Sequence, residues 1–174
     1  MEQRMMQEKT IETRFRALKK ELALRAPDAG VALLAVSKTF GIEAVEAAWR
    51  AGALAFGENY VQEGVEKCRL FRERHPEAKV EWHFIGSLQS NKTRPVAETF
   101  DWVQTIDRVK IAERLSAQRP GHLAPLNVLI EVNADAEPSK SGVSWDEIDA
   151  LADRIAELPN LRLRGLMAIP EANG

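Results

Sequence analysis

The chain alternates between two hydrophobic patterns. Short apolar runs rich in β-branched residues are each followed by a longer segment whose apolar residues recur every three or four positions. The first pattern predicts a buried β-strand, and the second predicts a helix with one apolar face. The predicted strands are 31–36, 54–56, 80–85, 102–106, 127–132 and 161–169.

Helices are predicted before the first strand and after each of the first five strands. The residues that define the opening helix are Ile11, Phe15, Leu18 and Leu22, and residues 27–30 are expected to end it. Asp107 is a predicted N-cap for the helix after the fourth strand. Ser144 and Glu147 have the spacing of a capping box at the start of a later helix.

Repeated strand–helix units imply a parallel sheet with helical crossovers. An open doubly wound sheet and a closed eight-stranded barrel both satisfy this pattern, and periodicity does not choose between them. A barrel needs about two more units than these predicted strands supply. Because no low-complexity linker divides the sequence, we expect residues 1–174 to form a single domain.

Composition narrows the class of protein. Of the 174 residues 45% are hydrophobic and 29% are charged, as in soluble globular proteins. The net charge of −2 argues against a nucleic-acid partner held by phosphate contacts. Neither a membrane-spanning apolar run nor a signal peptide is visible. Cys68 is the only cysteine, so we expect no internal disulfide and a cytoplasmic location.

Lys38 is the sharpest candidate for chemistry, because it follows the apolar residues of the first predicted strand. Ligands of parallel α/β folds bind beyond the carboxyl ends of the strands. Burial of the lysine stem would lower the pKa of its amine, and a neutral amine attacks aldehydes to form imines. The alternative is a solvated lysine that simply follows a strand.

Other candidates are weaker. His83 lies in an apolar strand, as a satisfied core histidine would, although it is also placed to flank a ring ligand. His75 and His122 have no partners at metal-ligand spacing, so no metal site is expected. The sequence has no dinucleotide-binding glycine motif, no P-loop and no serine-hydrolase elbow.

Five segments in the same order resemble the pyridoxal phosphate homeostasis protein family, whose barrel is similar to the N-terminal domain of alanine racemase. The segments are LLAVSKT (33–39), FGENYVQE (56–63), WHFIGSLQSNK (82–92), SKSG (139–142) and LRGLMAIP (163–170). Five ordered matches are much more specific than any one of them.

The resemblance implies a (β/α)8 barrel of the alanine racemase N-terminal type, here without about the last two βα units. It implies that Lys38 holds pyridoxal 5′-phosphate as an internal aldimine. Asn59, His83 and Met167 are expected as wall residues around the cofactor ring, and Lys140 as an auxiliary acceptor. The residues that bind the phosphate group are expected in the C-terminal units that family members have in addition.

The function that the resemblance implies is non-catalytic. The protein would bind pyridoxal phosphate, a form of vitamin B6, as a cytoplasmic monomer and supply it to apo-enzymes, with no nucleic acid or membrane partner. The alternative is a pyridoxal-phosphate-dependent racemase or decarboxylase. A racemase needs acid–base groups on both faces of its substrate, and the only tyrosine is Tyr60. A third reading is a protein-binding module with a vestigial lysine.

Overall fold

The computed structural model describes residues 2–27, 30–135, 137 and 140–170. The strands of its sheet are Ala35–Val36 (β1), Ala55–Glu58 (β2), Glu81–Phe84 (β3), Trp102–Ile106 (β4), Leu126–Glu131 (β5) and Leu161–Met167 (β6). The α-helices are Glu2–Arg25 (α1), Ile42–Arg50 (α2), Val61–Arg74 (α3), Thr93–Thr99 (α4), Val109–Gln118 (α5) and Ile148–Ala156 (α6). Single 3₁₀ turns, Ser90–Lys92 and Trp145–Glu147, lead into α4 and α6.

The strand order identifies the architecture. The strands lie in the sheet in their chain order, from β1 to β6, and every neighbouring pair is parallel. A doubly wound sheet reverses its order at a switch point, whereas a barrel wall adds each strand beside the last. The two architectures that the hydrophobic pattern left open are therefore distinguished, and the sheet is a section of a barrel wall.

The two faces of the sheet differ in chemistry. Phe56, Trp82 and Phe84 are buried on the face that packs against the helices. Trp82 meets Phe71 of α3 at a ring distance of 5.9 Å, and Phe84 meets Phe100 at 5.5 Å. Since side chains alternate along a strand, the residues between these aromatics face the opposite side, which is the inner surface of a barrel.

Two local predictions were wrong. Residues 31–34 are not paired, so β1 is shorter than predicted, because β2 provides strand partners only for Ala35 and Val36. Asp107 is not the N-cap of α5, since Arg108 occupies that position and its guanidinium binds the Asp107 carboxylate at 2.8 Å.

The predicted helix boundaries are otherwise close to the observed ones. The capping box of Ser144 and Glu147 is confirmed. The opening helix α1 ends at Arg25, and residues 28 and 29 of its predicted stop lie outside the described residues. In the described segments, no helix has both the length and the apolar character needed to cross a bilayer.

Candidate functional site

Four of the predicted site residues lie at the carboxyl edge of the sheet. Lys38 follows β1, Asn59 follows β2, His83 lies near the end of β3 and Met167 ends β6. Because all the strands are parallel, these positions share one edge, where ligands bind in barrels. Four of the five residues that the sequence nominated thus lie along this edge, from β1 at one end of the strand order to β6 at the other, and the fifth, Lys140, lies in the loop after β5.

Lys38 has an accessible amine. Its side chain is exposed, so the apolar burial predicted for its stem is not observed. The prediction assumed that Lys38 closes a buried strand, whereas β1 ends at Val36 and Lys38 lies in the turn that follows it. Within the described ranges, its amine has no hydrogen-bond or ion-pair partner.

The backbone on either side of Lys38 is held by a buried polar network. Lys67 of α3 donates to the Ser37 carbonyl oxygen at 2.6 Å, to Glu58 Oε1 at 2.9 Å and to Glu63 Oε1 at 2.6 Å. The Ser37 hydroxyl donates to the same Glu58 oxygen at 2.6 Å. The Thr39 amide donates to Glu63 Oε1 at 2.6 Å. We call this set, Ser37, Thr39, Glu58, Glu63 and Lys67, the strand-end network.

Sequence reasoning missed the strand-end network. Glu63 and Lys67 are four residues apart on a helix, a spacing that predicts an ion pair and is visible in the sequence. Their contacts with Ser37 and Glu58 depend on how α3 packs against the sheet, and no periodicity encodes that packing. Gly64 permits it, since a Cβ there would lie 2.6 Å from Phe100 and 3.0 Å from the Cβ of Glu58.

Asn59 is fixed by a close backbone approach. A Cβ on Gly86 would lie 2.1 Å from the Asn59 carbonyl oxygen, so only glycine fits at position 86. The Asn59 side chain is half-buried, and its Oδ1 is buried without a hydrogen-bond partner among the described residues. Such an orphaned acceptor at a strand end is available to a bound donor group.

His83 presents a neutral ring on the inner face. It stacks on Trp102 with ring centroids 5.1 Å apart and an interplanar angle of 9°. Gln104 Nε2 lies 2.9 Å from His83 Nδ1, and with the amide in this orientation its nitrogen donates to Nδ1, which assigns the ring proton to Nε2. Burial lowers the pKa of His83 to about 4, so the ring is uncharged at neutral pH. Its Nε2 is buried and has no hydrogen-bond partner in the described part of the chain, and the carboxylate oxygen Oε2 of Glu81 lies 3.7 Å away.

Met167 lies beside a buried carboxyl group. It pairs in register with Glu131 of β5, and Met167 itself is half-buried. Burial raises the pKa of the Glu131 carboxyl, and the nearby charge of Asp107 raises it further. The carboxyl edge is therefore partly apolar and partly acidic at its β5 and β6 end, away from Lys38.

Lys140 contacts a different set of residues, in the loop after β5. Its ammonium lies 2.9 Å from Asp135 Oδ2 and 3.4 Å from Glu137 Oε2. The hydrogen bond that Lys140 donates to the Asp135 carboxylate is the main cause that raises the pKa of the Lys140 amine. Ser139, which belongs to the same matched segment, lies outside the described residues. No described contact joins Lys140 to Lys38, Asn59 or His83.

The carboxyl edge carries the free amine of Lys38, and an amine is the group that reacts with aldehydes. Asn59 Oδ1 and His83 Nε2, from the neighbouring strands, are buried and have no hydrogen bond among the described residues, although Glu81 Oε2 lies 3.7 Å from His83 Nε2. Metal binding has no comparable support, since the described residues contain no group of three or more His, Cys, Asp or Glu placed to hold an ion.

Comparison with known sequences gives consistent relatives. The family described as "Alanine racemase, N-terminal domain" matches residues 9–172. A pyridoxal phosphate homeostasis protein of Vibrio alginolyticus is 61% identical over 146 residues, which are 84% of this chain and 62% of that protein. The protein of the same name from Escherichia coli K12 is 60% identical over the same proportions. The chain thus spans less than two thirds of the length of these curated relatives.

Solved structures agree in fold. PipY of Synechococcus elongatus PCC7942, solved with PLP bound, superposes with a TM-score of 0.79 and 31% identity, covering 94% of this chain and 72% of PipY. An unknown protein from Bifidobacterium adolescentis gives a TM-score of 0.83 and 31% identity, covering 99% of this chain and 73% of that one. Alanine racemase from Corynebacterium glutamicum, at 17% identity, gives 0.68 over 92% of this chain and 43% of the racemase, which is a likeness of fold alone.

Proposed function

The chain belongs to the alanine racemase N-terminal domain family and, within it, to the pyridoxal phosphate homeostasis proteins, and we propose from this membership that it binds pyridoxal 5′-phosphate without catalysing a reaction. Its role would be to hold the reactive aldehyde reversibly and to limit its free concentration. The observation that carries the proposal is the free amine of Lys38 at the carboxyl end of β1.

The ligand supplies an aldehyde, which condenses with a neutral primary amine to form a carbon–nitrogen double bond and release water. Lys38 supports this assignment, because its amine is exposed and has no competing partner in the described ranges. Water and the ligand can therefore both reach it. The strand-end network holds the backbone on either side, so the Cα from which the side chain extends has a fixed position.

Asn59, His83 and Met167 are proposed as the wall of the ring site. Asn59 Oδ1 and His83 Nε2 support the proposal because each is a buried polar atom without a hydrogen bond in the described residues. An unpaired buried polar atom is costly, and a bound polar ligand removes that cost. Met167 would supply an apolar and adaptable contact at the far side of the edge.

Lys140 is proposed only as an auxiliary acceptor. To react, it must lose its contacts with Asp135 and Glu137 and then a proton. Since the Asp135 contact raises the pKa of this amine, Lys140 would react more slowly than a lysine without carboxylate neighbours.

An amino-acid racemase has less support. Such an enzyme needs a second acid–base group opposite the lysine. Tyr60 is the only tyrosine of the chain, and at 56% exposure it lies on the surface beside the start of α3, in no defined site. The curated relatives are also named as homeostasis proteins. Racemisation of alanine by the protein would reverse this preference.

The wider role is also proposed. We infer that the protein works as a monomer in the cytoplasm and supplies pyridoxal phosphate to apo-enzymes. Cys68 supports a reducing compartment, since the only thiol of the chain is fully buried in the core and takes no part in a disulfide. Light scattering tests the monomer, and transfer of the ligand to an apo-transaminase tests delivery.

A reductive trap tests the binding site. The protein is incubated with pyridoxal phosphate and reduced with borohydride, and the labelled lysine is located by peptide mass mapping. We expect one adduct, on Lys38. Lys38→Ala should lose both the adduct and the visible absorbance, whereas the matched control Lys110→Ala, an exposed lysine on α5, should keep both. Labels scattered over exposed lysines in the unmodified protein would contradict the proposal.

A further inference from the structure

We propose that Lys67 is a positioning residue for Lys38 and that it acts through the two residues on either side of that lysine. This inference rests on the proposed function, in which the Lys38 amine receives the aldehyde. Lys67 lies on α3 and would not touch the ligand. Its effect would be to keep the strand end in the one conformation that presents Lys38 at the carboxyl edge.

The contacts of the strand-end network converge on the backbone around Lys38. Ser37 is held by four hydrogen bonds: its amide donates to the Gly57 carbonyl oxygen at 3.0 Å, its carbonyl oxygen accepts from Lys67 and from the Phe40 amide, and its hydroxyl donates to Glu58. Thr39 is held through its amide by Glu63. Lys38 lies between two fixed residues while its own side chain remains free.

Lys67 links the contacts that hold Ser37 to the contact that holds Thr39. An ammonium group has three N–H donors, and here they serve Ser37, Glu58 and Glu63. Glu63 Oε1 accepts from both Lys67 and the Thr39 amide. Removing the Lys67 ammonium would therefore leave the Phe40 amide as the remaining described donor to the Ser37 carbonyl oxygen, and it would loosen the carboxylate that holds Thr39.

The backbone conformation of Thr39 explains why the strand-end network has to hold this residue. Thr39 has a φ of 66°, in the left-handed region that a β-branched residue rarely adopts. Residues persist in such conformations where the surrounding structure over-determines them. The Glu63 contact with the Thr39 amide supplies that constraint immediately after Lys38.

Stability alone does not account for the network. Lys67 is 6% exposed and Glu58 is fully buried, so both charges have lost most of their hydration. Apolar residues of similar size are often at least as stable as a buried ion pair. What apolar residues would not supply is the pair of directed contacts to the backbone at 37 and 39.

The test compares three variants with the unmodified protein. Lys67→Met removes the ammonium but keeps the volume of the stem. Glu63→Ala removes the contact with Thr39 at a position where the side chain is 29% exposed, so this variant folds even if Lys67→Met does not. Glu63→Gln keeps an oxygen acceptor and should restore the behaviour of the unmodified chain.

Two readouts separate positioning from folding. Hydrogen exchange of the Thr39 amide reports the backbone without any ligand, and we expect it to accelerate by about tenfold or more in Lys67→Met and Glu63→Ala. Borohydride trapping with pyridoxal phosphate reports Lys38, and we expect its share of the label to fall about fivefold or more in the same variants, with Glu63→Gln near the original share.

The outcomes distinguish this inference from the proposed function. No Lys38 adduct in the unmodified protein would refute the function, and with it the role of Lys67. An adduct in the unmodified protein with an equal Lys38 share in a folded Lys67→Met or Glu63→Ala would refute positioning alone. Thr39 exchange that is unchanged in both variants would also overturn it, because the backbone would then not depend on the network.

Discussion

Gly86 and Asn59 approach so closely that a Cβ at position 86 would lie 2.1 Å from the Asn59 carbonyl oxygen. This contact joins the residue after β2 to the residue beyond the end of β3. The glycine therefore sets the position of a proposed wall residue through the backbone alone.

Gly86→Ala is expected to push Asn59 away from its position. The clash is with backbone atoms, which have no rotamer to escape into, and overpacking of this kind costs about 3 kcal/mol. Urea unfolding measures the loss. Gly121→Ala is the matched control, because a Cβ there meets no atom within 4 Å, and it should change the free energy of unfolding by less than about 1 kcal/mol. Equal stability of the two variants would contradict the contact.

His83 should make the stability of the protein depend on pH in an acidic window. Its pKa is lowered from 6.5 to about 4 by burial. Between pH 6.5 and about 4 the imidazole is therefore protonated in the unfolded chain but neutral in the folded chain. The free energy of unfolding consequently falls as the pH drops through this range. The loss from this residue amounts to about 3 kcal/mol.

Nuclear magnetic resonance titration of the imidazole measures this directly, and the His83 ring should titrate near pH 4. In urea unfolding, His83→Gln should remove this part of the pH dependence, while His122→Gln, at an exposed position, should retain it. A His83 midpoint near its ordinary value of about 6.5 would show that water reaches the ring freely.

The sequence predicts the elements better than their assembly. Trp102–Ile106 has the predicted bounds, because a short apolar run between polar residues has only one strand assignment. The strand order is a different matter, since an open sheet and a barrel have the same periodicity. Chain order in the sheet is a tertiary property, and here only the structure supplies it.

For the site as well, the sequence indicates candidate residues but not the contacts that they make. Lys38 was identified from its place after an apolar run, but its exposure depends on where the backbone turns. The Lys67 contact with Glu58 joins residues nine apart on different elements, which no helical spacing indicates. The unpaired atoms of Asn59 and His83 likewise become visible only when their neighbours are known.

Arg119 should be among the most important polar residues for stability. Its guanidinium donates to the carbonyl oxygens of Ala97 and Phe100 at 2.7 and 2.8 Å and to that of Ala124 at 2.8 Å. Arg119→Met should lower the free energy of unfolding by about 2–4 kcal/mol, because it leaves these carbonyl groups unpaired.

The control for Arg119 is Arg94→Met. Arg94 is exposed and lies 3.6 Å from Glu98, and an ion pair of this kind contributes less than about 1 kcal/mol. Arg119→Lys should not restore stability, since a lysine lacks the planar fork that reaches several carbonyl groups at once. If Arg119→Lys were as stable as the unmodified protein, the positive charge at position 119 would be what matters, and not the planar fork of the guanidinium.

Recognition of the ligand's phosphate group should depend on chain length. Phosphate sites in barrels are commonly built from the loops after strands seven and eight, whereas the described residues form six strands. The chain also spans 62% of the length of its relative from Vibrio alginolyticus.

We expect this chain to bind pyridoxal phosphate and 5′-deoxypyridoxal with affinities within about tenfold of each other, because the Lys38 amine reacts with an aldehyde that both ligands carry. A version extended to the length of that relative should favour the phosphate ester by about 100-fold or more, as several charge-assisted hydrogen bonds would. Absorbance titration measures all four affinities, and equal preference for the phosphate ester in both lengths would place the phosphate donors within residues 1–174.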